Sequence, residues 1–292
     1  MVIGIPAYNE EKNIASILLR LKNISEYIIV CDDGSTDLTS KIAEELGAIV
    51  VKHKKNLGYG AAIKTIFLKA KEINTDILTT FDADGQHRIE DINKVIEPIK
   101  NNLADLVIGS RFLNDNQKIP KYRKVGIKVI TELTNITGGT KITDSQSGFR
   151  SYSKKILENI NPVESGMGIS TEILIKTQKA GYKISEVPIT ILYEGDTSTH
   201  NPISHGSSVI FSTLKYVAIE RPLTFYGIPG IIFLSIGLFF GLWAMQIFAN
   251  EGKIITNIAM IGIGGVILGT ILIIAATILH SIVSIIRERN DN

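Results

Sequence analysis

Asp82-Ala83-Asp84-Gly85-Gln86-His87 is the segment whose residue types and spacing bear most directly on chemistry. Two carboxylates stand one residue apart where the apolar run Ile77-Leu78-Thr79-Thr80-Phe81 ends, and Gly85 marks a turn just beyond. Carboxylate oxygens at such a point can ligate Mg²⁺ or Mn²⁺ and leave coordination positions for phosphate oxygens. In open α/β sheets the crevice beyond the carboxyl ends of the strands is the usual binding place. A solvated turn is the plainer alternative, because Asp and Gly favour turns in any setting.

Two earlier junctions have the same character. Pro6-Ala7-Tyr8-Asn9-Glu10 follows a strand-like run at Val2–Ile5, and Asp32-Asp33-Gly34-Ser35-Thr36-Asp37 follows another at Tyr27–Cys31. Asp and Asn cap helices, so one such junction is expected from structure alone. Three on one edge of a parallel sheet would instead line a single polar pocket. There Glu10 or Asp33 could accept hydrogen bonds from a nucleobase or ribose, and Tyr8 could pack on a base or sugar face. Asn56-Leu57-Gly58-Tyr59-Gly60-Ala61 superficially suits a dinucleotide fingerprint. The position that should hold its third Gly or Ala is Ile63, and no strand ends directly before Gly58. A helix N-terminus near a phosphate, or simple helix packing, explains these glycines better.

Positioning these junctions requires alternating elements, and the pattern supplies them. Helical stretches at Glu10–Leu21, Thr36–Leu46, Gly58–Ile73 and Ile89–Ile99 alternate with extended runs at Ala48–Lys52, Asp76–Phe81 and Asp105–Ile108. The fold class is α/β, a mainly parallel sheet with helices on both faces. Beyond Arg111 the rhythm breaks: Tyr122–Ile136 and Thr171–Ala180 read as helices, Phe149–Tyr152 and Ile184–Leu192 as extended.

The 292 residues change composition near residue 224. Two runs without Asp, Glu, Lys or Arg follow, at 225–249 and 258–286. Each exceeds the roughly 20 residues that cross a hydrocarbon core. The expected organisation is a domain at 1–200, an interfacial amphipathic helix at 201–224, and a transmembrane hairpin over the two runs. Small residues at Gly237/Gly241 and Gly265/Gly269 would let the two helices approach closely. Lys215 and Arg221 flank the first span, Arg287 and Arg289 the second, so the large domain and both termini are expected on the cytoplasmic side. The N-terminal segment lacks the features of a signal peptide. One cysteine, Cys31, excludes an intrachain disulfide framework and suits a reducing compartment. A net charge of +2 and the lack of any Lys/Arg block give no sign of nucleic-acid binding.

Together the three junction motifs and Gly109-Ser110-Arg111-Phe112, in this order, resemble the family 2 glycosyltransferases of GT-A fold, specifically the dolichol-phosphate mannose synthase group. The resemblance covers about residues 1–195, and the two spans resemble anchors that some members carry. It implies that Pro6, Tyr8, Glu10, Cys31, Asp33, Asp82, Ala83 and Asp84 bind the nucleotide of a sugar donor. Asp82, Asp84 and Gln86 would hold Mg²⁺ or Mn²⁺, with Asp84, Arg111 and Arg123 as the catalytic set. Arg111 would face phosphate oxygens, and Arg123 the phosphate of the lipid. Ser147-Gly148-Phe149-Arg150 resembles the group's S-G-F-R segment, with Arg150 as a structural residue.

The resemblance implies an inverting transfer from GDP-mannose or a UDP-hexose to a polyprenyl (dolichyl) phosphate in the cell membrane of a prokaryote. An oligomer is compatible with this reading. Sugar transfer builds charge on the departing diphosphate, which a divalent cation and arginines can stabilise. A phosphate acceptor is already ionised near neutral pH, so no strong general base is required. The chain departs from the group at Tyr193–Gly206, where the usual basic residues are missing and His200 and His205 stand nearby. Transfer to another lipid-linked or polysaccharide acceptor is one alternative. Processive synthases of this fold usually carry Gln-x-x-Arg-Trp, and the only Trp here is Trp243, inside a span. A membrane-tethered binding protein without turnover is the other.

Overall fold

The computed structural model describes residues 1–114, 121–191, 218 and 222–291, with side chains for all of these except 121–123 and 286–291. The chain divides into two units, Met1–Thr213 and Leu214–Asn292.

The first unit is built on seven strands: β1 (Val2–Ala7), β2 (Tyr27–Asp32), β3 (Ile49–Lys52), β4 (Ile77–Thr80), β5 (Leu106–Ser110), β6 (Arg150–Ser153) and β7 (Ile184–Pro188). Their order is β3-β2-β1-β4-β6-β5-β7. All neighbours are parallel except β6, which runs antiparallel to both β4 and β5. The expected mainly parallel sheet is therefore present, with one reversed strand inside it.

Both faces are covered, which is why β1 and β2 read as near-continuous apolar runs. On one face Ile3, Ile5, Ile28 and Val30 pack with α1 (Ile14–Leu21) and α4 (Ile92–Lys100). On the other, Val2, Ile29, Leu78, Leu106 and Ile108 meet α3 (Tyr59–Glu72), α6 (Lys154–Asn159) and α7 (Ile169–Lys179). Each fully buried Ile or Leu contributes about 1.5–3 kcal/mol of transfer free energy. The remaining helices of this unit are α2 (Thr39–Glu45) and α5 (Lys121–Gly138).

Two helices begin later than their sequence patterns suggest. Asn9 adopts a left-handed φ of 55°, and the Glu10 carbonyl accepts from the N–H groups of Asn13 and Ile14, so α1 starts only at Ile14. Residues ahead of α2 are tied instead to the first junction, and α2 starts at Thr39. β7 ends at Pro188, on an edge strand where a missing N–H is tolerated, and the Ile189 N–H still donates to the Ser110 carbonyl at 3.1 Å.

In the second unit, α8 (Ile228–Glu251) and α9 (Thr256–Asp291) are each long and apolar enough to cross a bilayer. Outward side chains such as Phe239, Leu242 and Met245 are exposed, as suits helices facing lipid. Gly252, with φ 64°, caps α8 by donating to the Phe248 carbonyl at 2.9 Å. The helices touch through glycines: a Cβ on Gly265 would lie 2.7 Å from the Gly237 Cα, and one on Gly262 would lie 2.8 Å from the Gly241 nitrogen. Of the expected interfacial helix at 201–224, only Ala218 and 222–224 fall among the described residues.

Candidate active site

Because β1, β2, β4 and β5 are parallel, their carboxyl ends open on one edge of the sheet, and β6 begins at that edge. The three acidic junctions, Arg111 and the segment before Arg150 are thereby brought together. The first two junctions are stitched to each other. Asn9 N–H donates to Ser35 Oγ at 2.9 Å, Thr36 N–H to Asn9 Oδ1 at 2.9 Å, and Glu10 N–H to Thr39 Oγ1 at 2.8 Å.

Asp82, Asp84 and Glu10 share one electrostatic environment. Burial pushes the Asp84 carboxyl above its ordinary range, and the Asp82 charge adds to this. Glu10 is raised too, first by burial and then by Asp84, Asp37 and Asp82, against a hydrogen bond from Asn13. Like charges gathered in a partly desolvated crevice raise one another's affinity for a proton or a cation. Asp84 Oδ1 accepts the Gln86 N–H at 3.0 Å, which fixes the turn around Gly85. Asp82 is held from two sides, by His87 Nε2 at 3.1 Å from Oδ2 and the Tyr59 hydroxyl at 3.4 Å from Oδ1.

The donor set fits a hard divalent cation. The Asp82 and Asp84 carboxylates, with the Gln86 amide nearby, match a Mg²⁺ or Mn²⁺ site completed by phosphate and water oxygens. Among the described residues no cluster of three or more His, Cys, Asp or Glu side chains could hold a metal unaided.

Several expected site residues occupy different positions. Arg111 was expected to face phosphate oxygens. Its Nε lies 2.6 Å from Asp144 Oδ2 and its Nη2 2.7 Å from Oδ1, while its backbone N–H also donates to Oδ2. This fork is directed at a buried carboxylate rather than into the crevice. Cys31 has no exposed surface, and burial pushes its thiol up to about 12. It sits with Ala62, Ile63 and Ile66 in the core on the α3 side. Asp33 is only 4% exposed and accepts from Leu57 N–H, Gly58 N–H and His53 Nδ1 at 2.7–2.9 Å. Cys31 and Asp33 therefore support the site from beneath in this structure, because the loop at 53–58 folds over them. Pro6 and Ala83 are buried, whereas Tyr8, Glu10, Asp82, Asp84 and Gln86 remain partly open. Arg123 lies on α5, its side chain outside the described residues, as are His200 and His205 altogether.

Arg150 is structural, as its segment suggests. It is 1% exposed and donates to the carbonyls of Ser147, Ser170 and Ser145 at 2.6–2.8 Å. This clamps the segment that carries Gly148 against Asp82. The glycines at 58 and 60 serve packing: a Cβ on Gly60 would meet the Gly166 carbonyl oxygen at 2.5 Å. His87, Tyr59, Gly148 and Asp144 carry site geometry that the sequence motifs did not assign. For His87 the signal was its place within the acidic motif, and for Asp144 none existed.

A sheet of this order, with carboxylates and an amide at its carboxyl edge, has the architecture of the GT-A fold, with the crevice placed where open α/β sheets bind ligands. The chain belongs to glycosyl transferase family 2, whose family model matches residues 2–160. It is 39% identical over 228 residues to a UDP-N-acetylglucosamine–dolichyl-phosphate N-acetylglucosaminyltransferase of Methanococcus voltae, covering 70% of this chain and 89% of the relative. A dolichyl-phosphate hexose transferase of Haloferax volcanii is 29% identical over 223 residues, 76% of this chain and 95% of that protein. Among solved structures, glucosyl-3-phosphoglycerate synthase of Mycobacterium tuberculosis, in complex with Mn²⁺, UDP and glucosyl-3-phosphoglycerate, superposes with a TM-score of 0.57 at 20% identity. That match covers 74% of this chain and 79% of the other, and it establishes the shared fold.

Proposed function

We propose that this glycosyltransferase moves a sugar from a nucleotide-sugar donor to a polyprenyl (dolichyl) phosphate at the membrane surface, with inversion and with Mg²⁺ or Mn²⁺ bound at Asp82 and Asp84. The observation that carries the reading is the convergence of Asp82, Asp84 and Glu10 on one strand-end crevice, with the carboxyls of Asp84 and Glu10 raised. Relatives named for transfer to dolichyl phosphate support the acceptor, and the apolar hairpin α8–α9 supports a membrane-borne one.

A divalent cation bound there supplies charge neutralisation for a nucleoside diphosphate leaving group. The chain's own residues do the rest. Asp82 and Asp84 orient the diphosphate end of the donor, Gln86 offers a neutral oxygen beside them, and Tyr8 and Glu10 form the wall toward the nucleoside. The acceptor phosphate arrives ionised, so these carboxylates need not take a proton from it. Placing two anions together calls for cationic side chains, and Arg123 on α5 is assigned to the lipid phosphate. Arg111 is assigned to the Asp144 fork, where it fixes the end of β5. The domain and the end of α9 are assigned to the cytoplasmic side, from the flanking basic residues.

GDP-mannose, UDP-N-acetylglucosamine and UDP-glucose are the donors to test. Purified protein in lipid is incubated with each radiolabelled donor and a polyprenyl phosphate, with Mn²⁺ or with chelator. One donor should place label in the organic phase in a Mn²⁺-dependent manner. Transfer only to water-soluble or polysaccharide acceptors, or no transfer from any donor, would overturn the proposal.

A further inference from the structure

Asp82 is held in a way that Asp84 is not. Its Oδ2 lies 3.1 Å from His87 Nε2, its Oδ1 3.4 Å from the Tyr59 hydroxyl, and Gly148 presses against both oxygens. A Cβ at position 148 would stand 2.7 Å from Oδ2, 3.0 Å from Oδ1 and 2.6 Å from the Tyr59 oxygen. The backbone at Gly148 cannot retreat, since Thr80 Oγ1 donates to its carbonyl at 2.6 Å and Arg150 grips the carbonyls around it.

His87 is itself fixed. It is 7% exposed, with its ring against Phe81 and Phe149 at centroid distances of 5.7 and 5.1 Å. Its Nδ1 is buried and has no hydrogen-bond partner among the described residues. A buried N–H without an acceptor is costly, whereas an unused lone pair against aromatic rings costs less. A ring proton is therefore assigned to Nε2, where it donates to Asp82. A donor on one lone pair of Oδ2 selects one carboxylate rotamer and leaves the remaining lone pairs for another partner.

We propose that His87 and Tyr59 are positioning residues that pre-orient Asp82 as a metal ligand, with Gly148 as the wall that lets them close on it. Asp84, which among the described residues accepts from the Gln86 N–H two residues on, is the adaptable member of the pair. The inference rests on the proposed metal role of Asp82 and Asp84, and it assigns the second layer of that site.

The test compares two amides at position 87 in the full-length protein. His87→Gln can bring a side-chain N–H to the place of Nε2, while the shorter His87→Asn cannot. Both are polar and pose similar burial costs, so a purely structural role would penalise them alike. Binding of Mn²⁺ alone is followed by the loss of the free-ion signal in electron paramagnetic resonance, with thermal melting recorded for each variant. His87→Asn is expected to weaken Mn²⁺ binding by about 10–100-fold, the range for removed outer-layer partners. His87→Gln should recover most of it, and Tyr59→Phe should weaken binding less than His87→Asn. Equal binding by the Gln and Asn variants would overturn the inference. Asp84→Asn serves as the separate check: if it binds Mn²⁺ like the unaltered protein, the metal reading itself fails. If Asp84→Asn loses the ion while His87→Asn keeps it, only the positioning role falls.

Discussion

Arg111 closes a two-bond fork on Asp144, with Nε 2.6 Å from Oδ2 and Nη2 2.7 Å from Oδ1. Asp144 has no exposed surface, so its charge depends on this one guanidinium and on neighbouring N–H groups. The fork joins the end of β5 to the segment leading into β6, and so spans the crevice edge from beneath.

Breaking that pair leaves a buried charge. Arg111→Ala is predicted to destabilise the first unit by about 3–5 kcal/mol, the usual loss when one partner of a buried pair is removed. Arg111→Lys should recover only part, because a single ammonium cannot make the fork. Thermal melting of the purified variants checks this. If Arg111→Ala melts normally yet loses all transfer activity, the residue faces substrate after all.

The same pair sets an acid limit. Burial alone would raise the Asp144 carboxyl, but the charge and hydrogen bonds of Arg111 hold it below the ordinary range. A depressed folded-state value gives stability that is present above the unfolded value and is lost as pH falls through the folded one. Melting temperature should therefore fall through and below the ordinary carboxylate range. Arg111→Ala should flatten that dependence, and an unchanged profile would contradict the assignment.

Glu10 carries the opposite sign. Burial, then Asp84, Asp37 and Asp82, raise its carboxyl, so ionising it costs folding free energy. That cost is absent at low pH and grows as pH rises from the unfolded value through the folded one. Glu10→Gln should raise the melting temperature at neutral pH while weakening nucleotide binding. The gain should vanish in acid. A loss of stability at neutral pH would show that the Asn13 bond at 2.9 Å outweighs the repulsion.

Gly148 has no room for a methyl group. Gly148→Ala is predicted to displace Asp82 or Tyr59 and to cut transfer by about 100-fold, the scale of a 1 Å misplacement near reacting groups. Circular dichroism should show the fold intact. Unaltered turnover in Gly148→Ala would mean that the contact has slack.

Much of this arrangement is legible in the chain itself, for physical reasons. Each acidic junction follows a β-branched run and precedes a helical period, so parallel order alone brings Glu10, Asp82 and Asp84 to one edge. The reversed strand β6 is not legible, because a short run such as Arg150–Ser153 carries no signal of direction. Nor is the fork made by Arg111, since Asp144 lies 33 residues away and outside every motif. The family resemblance implies that Cys31 and Asp33 bind the nucleotide, yet both are buried. What removes them from the surface is the loop at 53–58, whose path depends on Asp33 accepting two of its backbone N–H groups.

Calorimetric titration of the full-length protein with UDP and with GDP, in Mn²⁺ and in chelator, tests the central claim most directly. One nucleotide should bind in Mn²⁺ and lose most of its affinity both in chelator and in Asp84→Asn. Nucleotide binding of equal strength under all three conditions would contradict a cation held at the Asp82–Asp84 edge.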